Sequence, residues 1–522
     1  MHAVVVVGNG PVGQTAALLL ARWDIPVVLL EQRMAREVVG SKSICQQRDV
    51  LDVWAAAGVP EIAAEGLTWT TARTFYRDRE LFAWSFVDPG SSPLPPFVNI
   101  SQSRTEQLLD QRIAAEPLIE VRWAYDVIRI DQDSDAVTLT CATDAGEVAV
   151  QASYVITATG GHCVLRDQLG VRFEGESFDD RFLICDIRAD LPGWERERRF
   201  YFDPEWNPGR QVLIHPCPDS TYRIDWQVPA GYDLAEEERT GALDARIRKV
   251  IGDRQYEIVW RSVYRFQARL VDRMRVGRVL LAGDCAHLLA PFGARGLNSG
   301  VLDAENAAWK LAFVLRGWAP ETLLDSYHDE RHAAAVENLD VTSATMRFLV
   351  PHGEAAVRER HRVLEAAMTD PDARSRVDSG RLAEPFWYVD SPLTTADPTR
   401  PFGGRPARGQ SPAVCPGVLV PDAPIHDPDR RTVTRLREIV RDGVLAITTS
   451  GQDVSPALKN AIDAPSRVVR LETIDDSGAL SAALGARTGE VWLIRPDGHV
   501  AAVLADPDPA TIAAVGRRML GL

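Results

Sequence analysis

One short segment constrains the fold of this chain more than any other: the run Ala3-Val4-Val5-Val6-Val7 passes directly into Gly8, Gly10 and Gly13, spaced GxGxxG. Branching at Cβ suits a strand better than a helix, and an unbroken apolar run of this length reads as a strand buried on both faces. Gln14 to Trp23 is rich in Ala and Leu, both good helix formers, and Pro26 to Glu31 supplies a second β run that ends in an acid. Strand, glycine turn, helix and strand make a complete βαβ unit.

Each residue of the turn meets a physical demand. Gly8 makes the tight turn, Gly10 lets a pyrophosphate approach the backbone, and Gly13 lets helix and strand pack closely. The helix N-terminus then offers unpaired N–H groups and partial positive charge to a phosphate. Glu31, at the end of the second strand, can accept hydrogen bonds from two ribose hydroxyls, which favours an unphosphorylated adenosine ribose such as that of FAD or NAD.

With 522 residues the chain is long enough for about three domains. Its 45% hydrophobic and 25% charged residues match a well-cored soluble protein. The net charge of −15, with no basic block, argues against nucleic acid or an anionic membrane as partner. No apolar run approaches a bilayer span and no basic leader opens the chain, so a cytoplasmic protein is expected. Seven cysteines without CxxC or paired spacing suggest buried thiols rather than a disulfide framework or a metal site.

Helices are expected over Ser41–Val59 and over Asn99–Ala115, the second capped by Ser101 or Ser103. Phe75–Phe97, punctuated by Pro and Gly, reads as loop and irregular strand, and Ile119–Ile156 as strands closing before Gly160-Gly161. In Thr221–Val228 one face carries Tyr222, Ile224, Trp226 and Val228 and the other Arg223, Asp225 and Gln227; with Arg210–His215 this predicts a half-buried antiparallel sheet. A second glycine loop and helix begin at Val276–Leu281, and a Pro/Gly/Ser-rich linker spans Ser391–Pro416. Beyond it, Val444–Ile447, Glu490–Ile494 and an Asp497-Gly498 hairpin turn indicate a small α/β domain.

A single fingerprint, followed about 270 residues later by another glycine loop, suggests one long nucleotide lying across the fold. Three blocks, Gly8 to Glu31, Gln102 within SQSRTEQLL, and Arg278 to Lys310, resemble the single-component FAD-dependent aromatic hydroxylases, the class A flavoprotein monooxygenases. More closely, the chain resembles their hydroxyphenylpropionate-hydroxylase and polyketide-hydroxylase branch, which carries a thioredoxin-like C-terminal domain. The implied α/β fold is a Rossmann-like FAD-binding domain (1–178 and, with a helical region, 271–390), an inserted mixed or antiparallel-sheet substrate domain (179–270), a linker (391–416) and a thioredoxin-like domain (417–522). The resemblance implies FAD contacts from Gly8, Gly10, Pro11, Gly13, Glu31, Gln32, Lys42, Gln102, Val127, Asp284, Pro291, Gly296, Leu297 and Asn298. Asp284 would hold a ribityl hydroxyl, and the N–H groups of Gly296 to Asn298 would face the flavin pyrimidine.

It further implies NADPH or NADH as reductant, O2 as oxidant, a C4a-hydroperoxyflavin, and a small phenolic or polyketide-like substrate; a homodimer is compatible with it. On the substrate side His215, Trp226 and Arg295 are candidates, His287 reads as support for the Asp284 loop, and no residue is assigned as catalytic. Three departures stand out. The family's Asp-Gly motif reads Ala158-Thr159-Gly160-Gly161-His162 here, Lys42 replaces a usual arginine, and the tail has no CxxC for thiol exchange. Thr159 keeps an alternative open: an FAD protein poorly reduced by free NAD(P)H, acting as a substrate-reduced oxidase or as a non-catalytic partner.

Overall fold

The computed structural model describes residues 1–38, 42–85, 92–406, 410–427 and 432–522. The Val-rich run forms strand β1 (His2–Val7), with Val4, Val5 and Val6 fully enclosed. It pairs in parallel with β2 (Val27–Glu31) on one side and with the long strand Gly146–Thr157 on the other. Val279–Leu281 and Ile119–Trp123 extend this parallel sheet outward. Helix α1 (Pro11–Arg22) joins β1 to β2 and packs on the helix Arg295–Leu315. That packing is close: a Cβ on Gly300 would lie 2.7 Å from the Val12 side chain and 3.0 Å from Gly283 Cα.

A second, mixed sheet of eight strands roofs the first. Its centre is antiparallel, Tyr256–Val271 against Phe173–Ala189, then Thr221–Val228, then Gln211–Cys217. The sheet reaches beyond 179–270, because Glu197–Phe202 pairs in parallel with Thr71–Tyr76, which pairs in turn with Arg79–Ser85. The strand Arg79–Ser85 and the last two residues of Thr71–Tyr76 therefore occupy ground expected to be loop and irregular strand, and residues 86–91 of that stretch lie outside the described residues. Their alternating burial shows that pairing overrides the weak local signal. The expected helix from Ser41, itself outside the described residues, instead begins with a strand, Cys45–Gln47, paired with Phe97–Asn99; the helix is Arg48–Ala56. Gln102–Ala114 is helical as expected, with Ser101 Oγ accepting from Arg104 N at 3.2 Å.

The roof is buried on both sides rather than half-buried. Tyr222, Ile224 and Trp226 pack into a core with Leu243, Ile247 and Ile251 of the helix Ala242–Ile251, while the opposite face looks into the molecule. The C-terminal unit orders its strands Ser466–Arg470, Val444–Thr448, Glu490–Ile494 and Val500–Ala505, the first pair parallel and the rest antiparallel, with helices on both faces. This is the expected thioredoxin-like arrangement. Gly498, at φ +80°, makes the Asp497-Gly498 turn. The described residues of the linker form turns and irregular chain without helix or strand; 407–409 lie outside the described residues.

Buried ions bind the C-terminal unit to the half built on the parallel sheet. Glu330 accepts from Lys310 Nζ at 2.6 Å, from Asn306 Nδ2 at 2.7 Å and from both terminal nitrogens of Arg495, which also pairs with Asp497 at 2.6 Å. Arg441 bridges Glu305 at 2.9 Å and Asp52 at 2.8 Å. Burial pushes the Glu330 and Asp497 carboxyls up, but Arg495 and its neighbouring cations outweigh it and hold both well below the ordinary range. Their stabilising contribution is full above the unfolded carboxylate range near pH 4 and is lost as acid protonates them below it. Removing one partner of such a set leaves an uncompensated buried charge. Arg495→Ala is expected to cost about 3–5 kcal/mol, measured by urea unfolding; an unchanged unfolding midpoint would show that the network carries no stability.

Candidate active site

Between the roof and the parallel sheet lies a cavity of about 1490 Å³. Pockets for a single small ligand run to roughly 300–1,000 Å³, so this one has room for a dinucleotide and a second molecule. One end is formed by the glycine turn. Gly8 takes φ +105°, and a Cβ there would lie 2.4 Å from Ala158 O. A Cβ on Gly13 would lie 1.9 Å from Gly8 O, whereas one on Gly10 would meet nothing within 4 Å. The first and third glycines are thus demanded by packing, and the second faces open cavity. Helix α1 starts here with Pro11 and without a side-chain cap, so its first N–H groups are left for a ligand.

Glu31 lines the cavity at the end of β2, held by Asn9 N at 2.9 Å and Arg33 Nε at 2.8 Å. Burial raises its carboxyl, but these donors more than offset that and hold it below its usual value. Gln32, Lys42, Gln102 and Val127 lie along the same wall. Gln102 Oε1 accepts from Ser43 N at 3.2 Å, which fixes the chain beside Lys42.

Asp284 lines the cavity on the turn after Val279–Leu281, next to Gly283, where a Cβ would lie 3.0 Å from the Val12 side chain of the glycine turn. Protein surrounds it, yet its side chain opens into the cavity, and among the described residues no group donates a hydrogen bond to it. Burial raises its carboxyl, partly offset by His287 and Lys42. Its turn is fixed from behind: Asp303 Oδ2 accepts from Gly283 N at 2.9 Å and contacts His287 Nε2 at 2.7 Å, while Asp303 Oδ1 accepts from Arg331 Nε at 2.7 Å. Pro291, Gly296 and Leu297 continue the lining. The helix Arg295–Leu315 begins there uncapped, its preceding residue Ala294 in the left-handed region at φ +57°.

The substrate candidates Arg295 and Trp226 point elsewhere, and the side chain of Asn298, whose backbone N–H is the group expected at the flavin, is engaged within the protein. Asn298 staples the helix start to the Cys45–Gln47 strand, accepting from Gln47 N at 3.0 Å and donating to Cys45 O at 2.9 Å. Arg295 turns away from the cavity to Asn338 Oδ1 at 2.6 Å and Leu382 O at 3.1 Å, so it ties its own loop instead of meeting a ligand. Trp226 lies on the roof's outer face in the core described above, because strand alternation sends it opposite to Asp225. His215 does line the cavity. Residues passed over in the sequence line it too: Arg223, Asp225, Trp260 and Tyr264. Arg223 pairs with Asp186 at 2.8 Å under Trp260, its guanidinium 5.6 Å from the ring.

Where the Asp-Gly motif is expected, Thr159 lines the cavity beside two buried thiols, Cys163 and Cys285, whose sulfurs are 2.9 Å apart. Arg166 donates to Cys285 O at 3.0 Å and Gly161 O at 2.9 Å, joining this loop to the Asp284 turn.

A family described as "FAD binding domain" matches residues 1–342, and one described as "Aromatic-ring hydroxylase, C-terminal" matches residues 413–522. The chain belongs to the FAD-dependent aromatic-ring hydroxylases. A flavin-dependent monooxygenase of Mycobacteroides abscessus is 33% identical over 65% of this chain and 73% of its own. A 3-(3-hydroxy-phenyl)propionate/3-hydroxycinnamic acid hydroxylase of Mycolicibacterium smegmatis is 26% identical over 95% of this chain and 90% of its own, and one of Comamonas testosteroni is 28% identical over 71% and 62%. In fold, the hydroxylase is similar to the flavin-dependent monooxygenase PieE, solved with FAD and substrate (TM-score 0.85, 21% identity, 99% of this chain and 98% of that one). It is also similar to aklavinone-11 hydroxylase, solved with FAD and aklavinone (TM-score 0.81, 23% identity, all of both chains).

The residues of this hydroxylase fit FAD. An open backbone at Gly10, two uncapped helix starts and an undonated carboxylate at Asp284 form a cradle with acceptors and donors where a dinucleotide needs them. Because Asp284 has no internal partner among the described residues, Asp284→Ala is expected to weaken FAD binding by roughly ten- to a hundredfold while leaving the apo-protein melting temperature unchanged. Flavin titration beside apo-protein melting checks this; equal loss of stability with and without FAD would mean that the carboxylate serves the fold.

Proposed function

We propose that this hydroxylase uses NAD(P)H and O2 to hydroxylate a phenolic or polyketide-like aromatic ring. The observation that carries the reading is the continuity of one cavity from the FAD cradle at Gly10 and Asp284 to the roof residues His215, Asp225 and Tyr264. Bound FAD supplies the oxygen activation. The chain's own residues bind, orient and exclude water: Phe182, Leu213, Phe266 and Phe292 give the space beneath the roof aromatic and aliphatic walls suited to a flat ring. The uncapped start of Arg295–Leu315 places positive helix potential at Gly296 and Leu297, which favours negative charge on a reduced ring bound there.

Thr159 supports a second reading, since it puts an uncharged hydroxyl on the cavity wall where the family pattern has a carboxylate. In that case reduction by free NAD(P)H is slow. Stopped-flow reduction separates the two. The expected outcome is bleaching of bound flavin by NADPH or NADH, faster when a phenol is present, and oxygen uptake coupled to nicotinamide oxidation. Slow bleaching under all of these conditions would favour the second reading.

A further inference from the structure

The roof's inner face is laid out in cross-strand rungs. One runs Leu213, Asp225, Ile184, Ser262 and the next His215, Arg223, Asp186, Trp260. Arg223 and Asp186 satisfy each other through two hydrogen bonds at 2.8 and 2.9 Å. Asp225 differs. It lies on the cavity wall, its Oδ1 is buried, and among the described residues no group donates to it. His215, its diagonal neighbour, likewise leaves Nδ1 without a partner. An unpartnered carboxylate oxygen inside a protein is costly unless a ligand completes it.

We propose that Asp225 receives the substrate: its carboxylate accepts the hydrogen bond of a phenolic hydroxyl and takes that proton during hydroxylation, so that the hydroxylase acts on neutral phenols presented hydroxyl-first to the roof. This rests on the hydroxylase reading above. In the step, the phenol O–H bond breaks, its electron pair stays on the ring oxygen, and the proton binds Asp225 Oδ1. The added electron density makes the ring a better nucleophile, and the proton is returned to the ring oxygen or to solvent as product leaves. An aryl carboxylate presented at the same place would meet like charge.

The surroundings suit the task. The groups facing Asp225 are Arg223 on its own strand, His215 on Gln211–Cys217, Asp186 on Phe173–Ala189, Arg198 on Glu197–Phe202, and Ser262 and Tyr264 on Tyr256–Val271. Burial raises the Asp225 carboxyl, with Asp186, against the pull of Arg223 and Arg198, to about 7. It can therefore both hold and release a proton near neutrality. Burial together with Arg198 and Arg223 drives His215 well below its usual value, so its imidazole is neutral and adds no competing cation.

The test uses the flavin-loaded enzyme and two probes, 2-hydroxyanthraquinone and 2-methoxyanthraquinone, with dissociation constants read from the flavin spectrum and ionisation of the bound phenol from its own absorbance. The wild type is expected to bind the phenol roughly ten- to a hundredfold more tightly than the ether. Ionisation of the bound phenol should rise as pH passes about 7, because Asp225 is protonated below that point and free to accept above it. Asp225→Asn, nearly the same shape, should lose most of the preference and the pH step while keeping its flavin content and melting temperature. Equal binding of phenol and ether by the wild type, which needs no variant, overturns the proposal. So does an unchanged pH step in Asp225→Asn, or a flavin-loaded wild type that binds neither probe. Failure of the wild type to take up FAD overturns the hydroxylase reading itself.

Discussion

A single buried carboxylate, Asp303, holds the second half of the cofactor cradle in place. It is fully enclosed, and its two oxygens collect the Gly283 amide, the His287 ring and the Arg331 guanidinium. Burial works against its charge, but these partners more than offset that and hold it down at about 2. Asp303 thus stays ionised throughout the neutral range and fixes the turn from which Asp284 projects. Arg331 carries the connection onward, donating to Tyr388 Oη at 3.0 Å and to Ser299 O at 3.1 Å. Tyr388 stacks near His499 and lies beneath Arg495, so the contacts run unbroken from the cofactor turn to the C-terminal unit.

This arrangement explains how a thioredoxin-like domain without CxxC contributes to the enzyme. It supplies Arg435, Arg437 and Arg441 to Asp52 and Asp49 on the helix Arg48–Ala56, and Arg495 to Glu330. It acts as a clamp on the FAD-binding half. Fixing many charges inside the protein is costly in desolvation, and here each of Arg441 and Arg495 offsets that cost by pairing with two carboxylates.

The βαβ start was legible because each of its signals is local: the Val run, the glycine spacing and Glu31 all fall within 31 residues. The place of Asp284 on the cavity wall was legible by resemblance, and Asp303, which holds its turn, was not, since nothing in an Ala-rich helix marks one Asp as buried. Alternation along Thr221–Val228 identified two faces correctly but not which of them turns inward. The tempting assignment gave the aromatic face to the ligand, whereas the charged face lines the cavity and Trp226 fills a core. Burial on both sides of a sheet removes the polarity contrast that would have settled this. Arg295 was read from loop composition, and only the path of its side chain separates a tie within its own loop from a ligand contact.

The site draws together segments that lie far apart in the sequence. β1 becomes central only when Gly146–Thr157 pairs beside it, and Val279–Leu281 adds the next strand of the same sheet and brings the Asp284 turn against Val12. The clamp on that half comes from Arg495, 165 residues beyond its partner Glu330. Contacts of such sequence separation form late. Loss of the strands around Arg495 would leave Glu330 and Lys310 buried without a partner that completes their charge set, on the helices that stand behind the Asp284 turn.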